Sequence, residues 1–186
     1  MWGATERVQL SLTAVGQLVA KEASQPGRKA IVWVSPGWPL LYARFPDATL
    51  QQQTFANIVR ISTALLQARV TLYDVDPLGA GQAPLHATYY KNFLQGISKP
   101  SQTQVADLGL QVLAIQSGGL LLNSSNNIAS LLEQCLSDMA PYYELSFEPS
   151  PAERPNEYHR LDVHVDKPGL IARTRQGYYA QPAPHN

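Results

Sequence analysis

The strongest constraint on the fold is the order of helical and strand-like segments over the first 140 residues. Four segments with apolar residues at helical spacing alternate with three short β-rich runs. This alternation is typical of a parallel sheet covered by helices, because each parallel crossover needs a connection long enough to hold a helix. The helical segments are residues 5–24, 50–67, 105–115 and 128–139, and the β-rich runs are residues 30–34, 70–75 and 120–122.

Polar residues at the ends of these segments predict where the helices start and stop. Asp47 or Thr49 is expected to cap the second helix, and Asn126 or Asn127 the fourth, because short polar side chains accept hydrogen bonds from the first free amides. The third helix is expected to end at Gly118, a residue type that adopts the left-handed conformation easily.

After Pro141 the pattern changes to strands without intervening helices. Residues 142–148, 158–165 and 170–175 are β-rich, and apolar and polar residues alternate in the second run, as in a strand with one wet face. Residues 167–169, Lys-Pro-Gly, form a tight connection. The sequence therefore predicts an antiparallel three-stranded extension whose last two strands form a hairpin.

The side chains of this extension are expected to pack and pair within it. One tyrosine of each of the pairs 142–143 and 178–179 is predicted to point inward. Three cations and two anions are expected to pair across the strands rather than to form a nucleic-acid face. They are Arg160, Arg173, Arg175, Asp162 and Asp166.

Composition limits the function classes. The chain has 186 residues, enough for one domain, and its 14 basic and 14 acidic residues cancel, so no partner of opposite charge such as nucleic acid is predicted. No stretch is apolar enough for membrane insertion, and residues 1–7 lack the order of a signal peptide. Cys135, the one cysteine, lies at an apolar helix position and is predicted to be a core residue. No cofactor is predicted.

Several stretches, in this order and at this spacing, resemble one family. They read GRKAIVWVSPGWP from residue 27, VTLYDVDPLG from residue 70, LQVLAIQSGG from residue 110 and YHRLDVHVDKPGLIARTRQGYYA from residue 158. Together they resemble the bacterial von Willebrand factor A-related domains of the acidobacterial type, over nearly the whole chain. The resemblance implies an extracytoplasmic or secreted protein.

The resemblance implies an α/β fold with a von Willebrand A-like, Rossmann-like parallel sheet and flanking helices, incomplete at its N-terminal side. Residues 5–140 would be this partial domain, with the three β-rich runs as its fourth, fifth and sixth strands. Residues 141–180 would be the antiparallel extension of this bacterial branch, and residues 181–186 a flexible tail. The missing strands would leave residues 30–34 at an open edge, through which self-association is expected.

The family's metal site is expected to be absent. Such domains hold Mg²⁺ or Mn²⁺ with a DxSxS motif, a threonine and an aspartate after the fourth strand. No DxSxS occurs here, and Ser35-Pro36-Gly37 stands where Thr-Asp-Gly is expected. The resemblance thus implies a non-catalytic interaction or adhesion module with an unidentified protein partner. Ser35, Gly37 and Trp38 would be its partner-facing loop residues.

Asp74 and Asp76 are the candidate cation ligands, because they follow a buried strand at the edge where open parallel sheets bind ligands. A turn begun at Asp76, with Asp74 capping a nearby amide, is the preferred interpretation. Ser35 follows a strand as a hydrolase nucleophile does, but lacks the G-x-S-x-G elbow. Two alternatives stay open: a fragment of a divergent α/β hydrolase-like enzyme, and a truncated product without independent activity.

Overall fold

The computed structural model describes residues 2–35, 47–78, 89–140 and 142–183. In these residues the chain is a mixed α/β protein with a parallel three-stranded sheet flanked by helices and a separate antiparallel pair of strands. The helices are α1 (Trp2–Glu22), α2 (Ala48–Gln67), α3 (Leu110–Gln116) and α4 (Ile128–Met139). The strands are β1 (Lys29–Val34), β2 (Val70–Val75), β3 (Leu121–Leu122), β4 (Glu157–Arg160) and β5 (Gly177–Ala180).

The parallel sheet has the order β1-β2-β3, so consecutive strands are neighbours. Strand β2 is buried along its whole length, and its side chains alternate between two apolar clusters. Val70 and Leu72 face α1, α2 and α3, whereas Tyr73 and Val75 face α4. The sheet therefore lies between two helical layers, as the helix–strand order predicts. Cys135 is buried in the α4 cluster, which confirms its predicted core position.

The predicted helix caps are confirmed at two positions. Asp47 accepts a hydrogen bond from Leu50 N at 2.7 Å, and Asn127 accepts one from Ser130 N at 3.3 Å. Each bond satisfies an amide that has no partner within its helix.

The third helix is shorter than predicted. Residues Val105–Leu108 form a 3₁₀ turn, and the α-helix begins only at Leu110. Gly109 separates them with an extended backbone (φ −60°, ψ 143°), which interrupts the helical hydrogen bonds. The turn is stabilised from within, because the Asp107 carboxylate accepts from Gln104 N at 2.8 Å. Helical spacing alone does not distinguish this broken segment from one helix.

Two glycines end α3 and let β2 approach closely. Gly118 has φ +88°, and its N–H donates to Ile115 O at 3.0 Å, while Gly119 N–H donates to Ala114 O at 3.0 Å. This pair of bonds is the Schellman arrangement, which confirms the predicted helix end. A Cβ on Gly119 would lie 1.8 Å from Leu72 O, so β2 occupies the space of any side chain there.

Candidate interaction surface

The carboxyl ends of the parallel strands bring the candidate site residues to one edge of the sheet. Ser35 follows β1, and its N–H donates to Val75 O at 3.0 Å. Asp74 and Asp76 lie at the end of β2 beside it. The structure thus places these three near one another, whereas the predicted loop residues Gly37 and Trp38 lie outside the described residues.

Asp76 and Asp74 differ in their hydrogen bonding. Asp76 Oδ1 accepts from Leu78 N at 2.9 Å, which confirms the predicted turn. Asp74 caps no amide, so that part of the prediction is wrong: its side chain is 0% exposed and both carboxylate oxygens lack a hydrogen-bond partner. Burial first, and the charge of Asp76 second, raise the pKa of Asp74 to about 8. The Asp74 carboxyl is therefore mostly uncharged at neutral pH.

The described residues offer no ready cation site. Among them, no group of three or more His, Cys, Asp and Glu side chains is placed to hold a metal ion. Asp74 and Asp76 are neighbours, but they are only two carboxylates, and Asp76 Oδ1 already accepts from Leu78 N. Of the described histidines, His159 belongs to the antiparallel strands, where its Nδ1 lies 3.3 Å from the Tyr178 hydroxyl.

The extension is attached to the α/β core through β5. Tyr179 packs against the main apolar cluster, and its ring meets the ring of Phe55 on α2 edge to face, with centroids 6.1 Å apart. Tyr178 contacts Phe147 instead, at 5.7 Å between ring centroids. Tyr178 and Tyr179 are thus both partly buried, and each packs against a different aromatic residue.

A chain of polar contacts joins the extension to β2 and α4. The Tyr73 hydroxyl donates to Asp138 Oδ2 at 2.6 Å, Arg28 Nη2 lies 3.3 Å from the same hydroxyl, and Arg173 pairs with Asp138 and donates to Gly118 O. Burial raises the pKa of Asp138, but hydrogen bonds from Arg173 and Tyr73 outweigh it and hold that pKa below its usual value. Sequence reasoning missed this cluster, because its members are far apart in the chain and form no motif.

The cross-strand pairing predicted for the arginines of the extension is wrong. Arg160 pairs with Asp162, two residues further along the chain, at 3.1 Å, and Arg173 pairs with Asp138 on α4. Arg175 reaches the core, where its Nη2 lies 3.4 Å from Val70 O. Two of the three arginines, Arg173 and Arg175, therefore contact the α/β core instead of a cross-strand partner.

The first predicted strand of the extension is absent, since residues 142–148 are in no helix or strand. Tyr142 and Tyr143 are 53% and 94% exposed, so neither points inward as predicted. Three alternating apolar side chains here form what we call the apolar strip. They are Tyr143, Leu145 and Phe147, exposed by 94%, 70% and 56%.

The backbone beside the apolar strip is also unpaired. Within the described part of the chain, residues 142–151 make no backbone–backbone hydrogen bond. Among the described residues, this segment makes one ion pair, Arg69 with Glu144 at 3.5 Å, which lies on the surface and contributes little. Because the segment has strand-like alternation but pairs with no strand, its apolar side chains and its backbone amides are accessible to a partner.

Comparisons with protein-family models, with curated proteins and with solved structures find no match to this chain. None of the described helices is long and apolar enough to cross a membrane.

Proposed function

We propose that this chain is a non-catalytic protein-interaction module related to the von Willebrand factor A domains, and that it acts outside the cytoplasm. The order of three consecutive parallel strands agrees with the fourth, fifth and sixth strands of that fold. The antiparallel pair after α4 supplies two of the three strands that the resemblance implies for the extension of the bacterial branch. The motifs GRKAIVWVSPGWP and VTLYDVDPLG, which first indicate the relationship, surround β1 and β2.

The observation that carries the proposal is the apolar strip. Three large side chains on alternating positions are more than half exposed, and their backbone has no sheet partner among the described residues. Exposed apolar surface of this kind marks interaction sites in soluble proteins. The partner that fits it is an extended polypeptide segment with alternating apolar residues, because main-chain bonds and side-chain contacts then form together.

Binding in this mode needs no metal ion. The carboxyl edge of the sheet holds a largely uncharged Asp74, and Asp76 is engaged by Leu78 N. The apolar strip lies after α4 in the extension and contains no metal ligand. We therefore expect partner binding to be unchanged when a chelator is added.

Selection from a random peptide library tests the interaction directly. We expect the chain to enrich peptides with alternating aromatic and aliphatic residues. The triple variant Tyr143→Ser, Leu145→Ser and Phe147→Ser should bind them at least about tenfold more weakly, because exposed aromatic anchors dominate such contacts. Leu10→Ser is the matched control, since Leu10 is 63% exposed on α1. Equal binding by the triple variant and the native chain would contradict the proposal.

The non-catalytic part of the proposal has its own test. A panel of acyl and phosphoryl esters should show no turnover above buffer. Ser35 lies at the end of β1, and no nucleophile–base–orienter set is readable around it in the sequence. Turnover that disappears in the Ser35→Ala variant would replace the interaction module with the hydrolase-like alternative.

A further inference from the structure

The antiparallel extension is one long hairpin that is closed at its base and at its tip. At the base, beyond β4 and β5, Leu161 N donates to Gln176 O at 2.9 Å. The same register, carried forward along both strands, places Lys167 opposite Leu170, and Leu170 N donates to Lys167 O at 3.3 Å. The turn contains Gly169 at φ +82°, after a proline, as in a type II turn. Such turns splay the strands of a hairpin, and its middle is indeed unpaired.

The two limbs of the hairpin have different surroundings. The second limb, residues 171–175, is bound to the core through Arg173, which contacts Asp138 and Gly118 O, and through Arg175. The first limb, residues 162–166, makes no backbone–backbone hydrogen bond within the described part of the chain. It therefore has strand-forming sequence and free main-chain groups, but no strand beside it.

The outer edge of the first limb is the side available to a new strand. Leu161 N points into the hairpin, so in a strand that continues β4 the main-chain groups of Asp162, His164 and Asp166 point outward. Strand β4 itself pairs only with β5 among the described strands, so this outer edge continues past Arg160.

The first limb is complementary to itself. When Val163 faces Val163 of a second copy in antiparallel pairing, Leu161 faces Val165, Asp162 faces His164 and Arg160 faces Asp166. Apolar side chains then meet on one face of the sheet. On the other face, side chains of opposite charge or with hydrogen-bonding groups meet. A register centred on His164 would instead place Asp162 opposite Asp166, with like charges facing.

We propose that two copies of this chain pair through residues 160–166 as antiparallel strands, around a two-fold axis at Val163. The pairing extends each β4–β5 hairpin into a sheet that continues across both copies. Val163 and Val165, 36% and 43% exposed, become covered. The exposed Arg160–Asp162 pair exchanges for contacts across the axis, which costs little because surface ion pairs are weak. This proposal rests on the proposed function of the extension as an interaction surface. The partner at residues 160–166 is a second copy of this chain.

Sedimentation equilibrium of the full chain tests the pairing with two charge reversals. The native chain should dimerise as concentration rises. Arg160→Asp and Asp166→Arg should each weaken dimerisation at least about tenfold, because each makes two attractive cross-strand pairs repulsive. An equimolar mixture of these two variants should dimerise again, since every Asp then faces an Arg. Arg154→Asp, an exposed reversal outside the segment, is the control and should dimerise like the native chain.

Three results would overturn the proposal: a native chain that stays monomeric at hundreds of micromolar, a dimer that ignores both reversals, or a mixture that does not re-form dimers. A dimer insensitive to the reversals would place the contact elsewhere, for example at residues 30–34. Should a reversal impair folding by circular dichroism, Val163→Lys against Val163→Thr repeats the test at the axis. Peptide binding by the apolar strip, measured on the same samples, separates failure of this pairing from failure of the interaction function.

Discussion

Between about pH 6 and pH 8 we expect the free energy of unfolding to fall as pH rises, and the Asp74→Asn variant to lose that dependence. The pKa of Asp74 is about 8 in the folded protein, against an ordinary value near 4 when unfolded. In this window the folded state holds a proton that the unfolded state has released. Each added pH unit therefore favours unfolding by up to ~1.4 kcal/mol, or about 2 kcal/mol over the window.

The window is chosen to separate Asp74 from a second buried carboxyl. Burial raises the pKa of Asp107 to about 6, although the hydrogen bond from Gln104 N opposes it, so its contribution has the same sign but ends at lower pH. Asp76→Asn is the matched control. It removes only the smaller cause of the shift at Asp74, so most of the slope should remain. Urea titrations at several pH values measure this, and a native stability that is flat or rises from pH 6 to 8 would contradict it.

Replacing Gly119 by alanine should destabilise the fold by roughly 3 kcal/mol or more. The new Cβ would lie 1.8 Å from Leu72 O and 2.8 Å from Leu72 C, both backbone atoms of the buried strand β2. Backbone cannot rotate away as a side chain tip can, so β2 or the end of α3 must shift. The shift would also disturb the bond from Asp74 N to Leu120 O, now 3.0 Å, which helps to pair β2 with the segment entering β3.

Gly27→Ala is the matched control for this glycine. Gly27 has φ +82°, but no atom lies within 4 Å of the Cβ position, so only the backbone conformation is penalised. We expect a cost of about 1 kcal/mol there. Thermal and urea unfolding of the two variants give the comparison. A Gly119→Ala variant as stable as Gly27→Ala would show that β2 and α3 are not packed as closely as described.

Much of the parallel sheet could be predicted from the sequence because its signals are local. Residues 70–75 are a β-rich run bounded by Asp76-Pro77, and the strand has the same bounds in the structure. The caps at Asp47 and Asn127 follow from residue type and spacing to the helix. The buried Asp107 was missed because its capping box with Gln104 lacks the usual sequence signal, which is Ser or Thr followed three residues later by Glu or Gln.

The extension could be predicted less well because its arrangement depends on long-range competition. An antiparallel pair does follow α4, but its bounds differ from the prediction: the paired strands are β4 and β5, and residues 161–166 and 170–175 are in no strand. The Lys-Pro-Gly turn is confirmed by the bond from Leu170 N to Lys167 O at 3.3 Å. The alternation in residues 158–165 and this turn are local signals. They do not reveal that Asp138, Gly118 O and Val70 O would take Arg173 and Arg175 from their cross-strand partners. Likewise, no pattern shows that Asp74 lies where no amide can reach its carboxylate, since that depends on how α3 and β2 pack.

The contacts from Arg28 through Tyr73 and Asp138 to Arg173 couple the docking of the hairpin to the packing of the parallel sheet. Arg28 precedes β1, Tyr73 is in β2, Asp138 is on α4, and Arg173 belongs to the hairpin. An occupant that draws Arg173 away leaves the Asp138 carboxylate with one fewer donor and loosens the contact between α4 and β2. By linkage, forming that contact favours the docked hairpin by the same coupling free energy with which the docked hairpin favours the contact. The proposed partner surface is thus coupled, through these contacts, to the packing of α4 on β2.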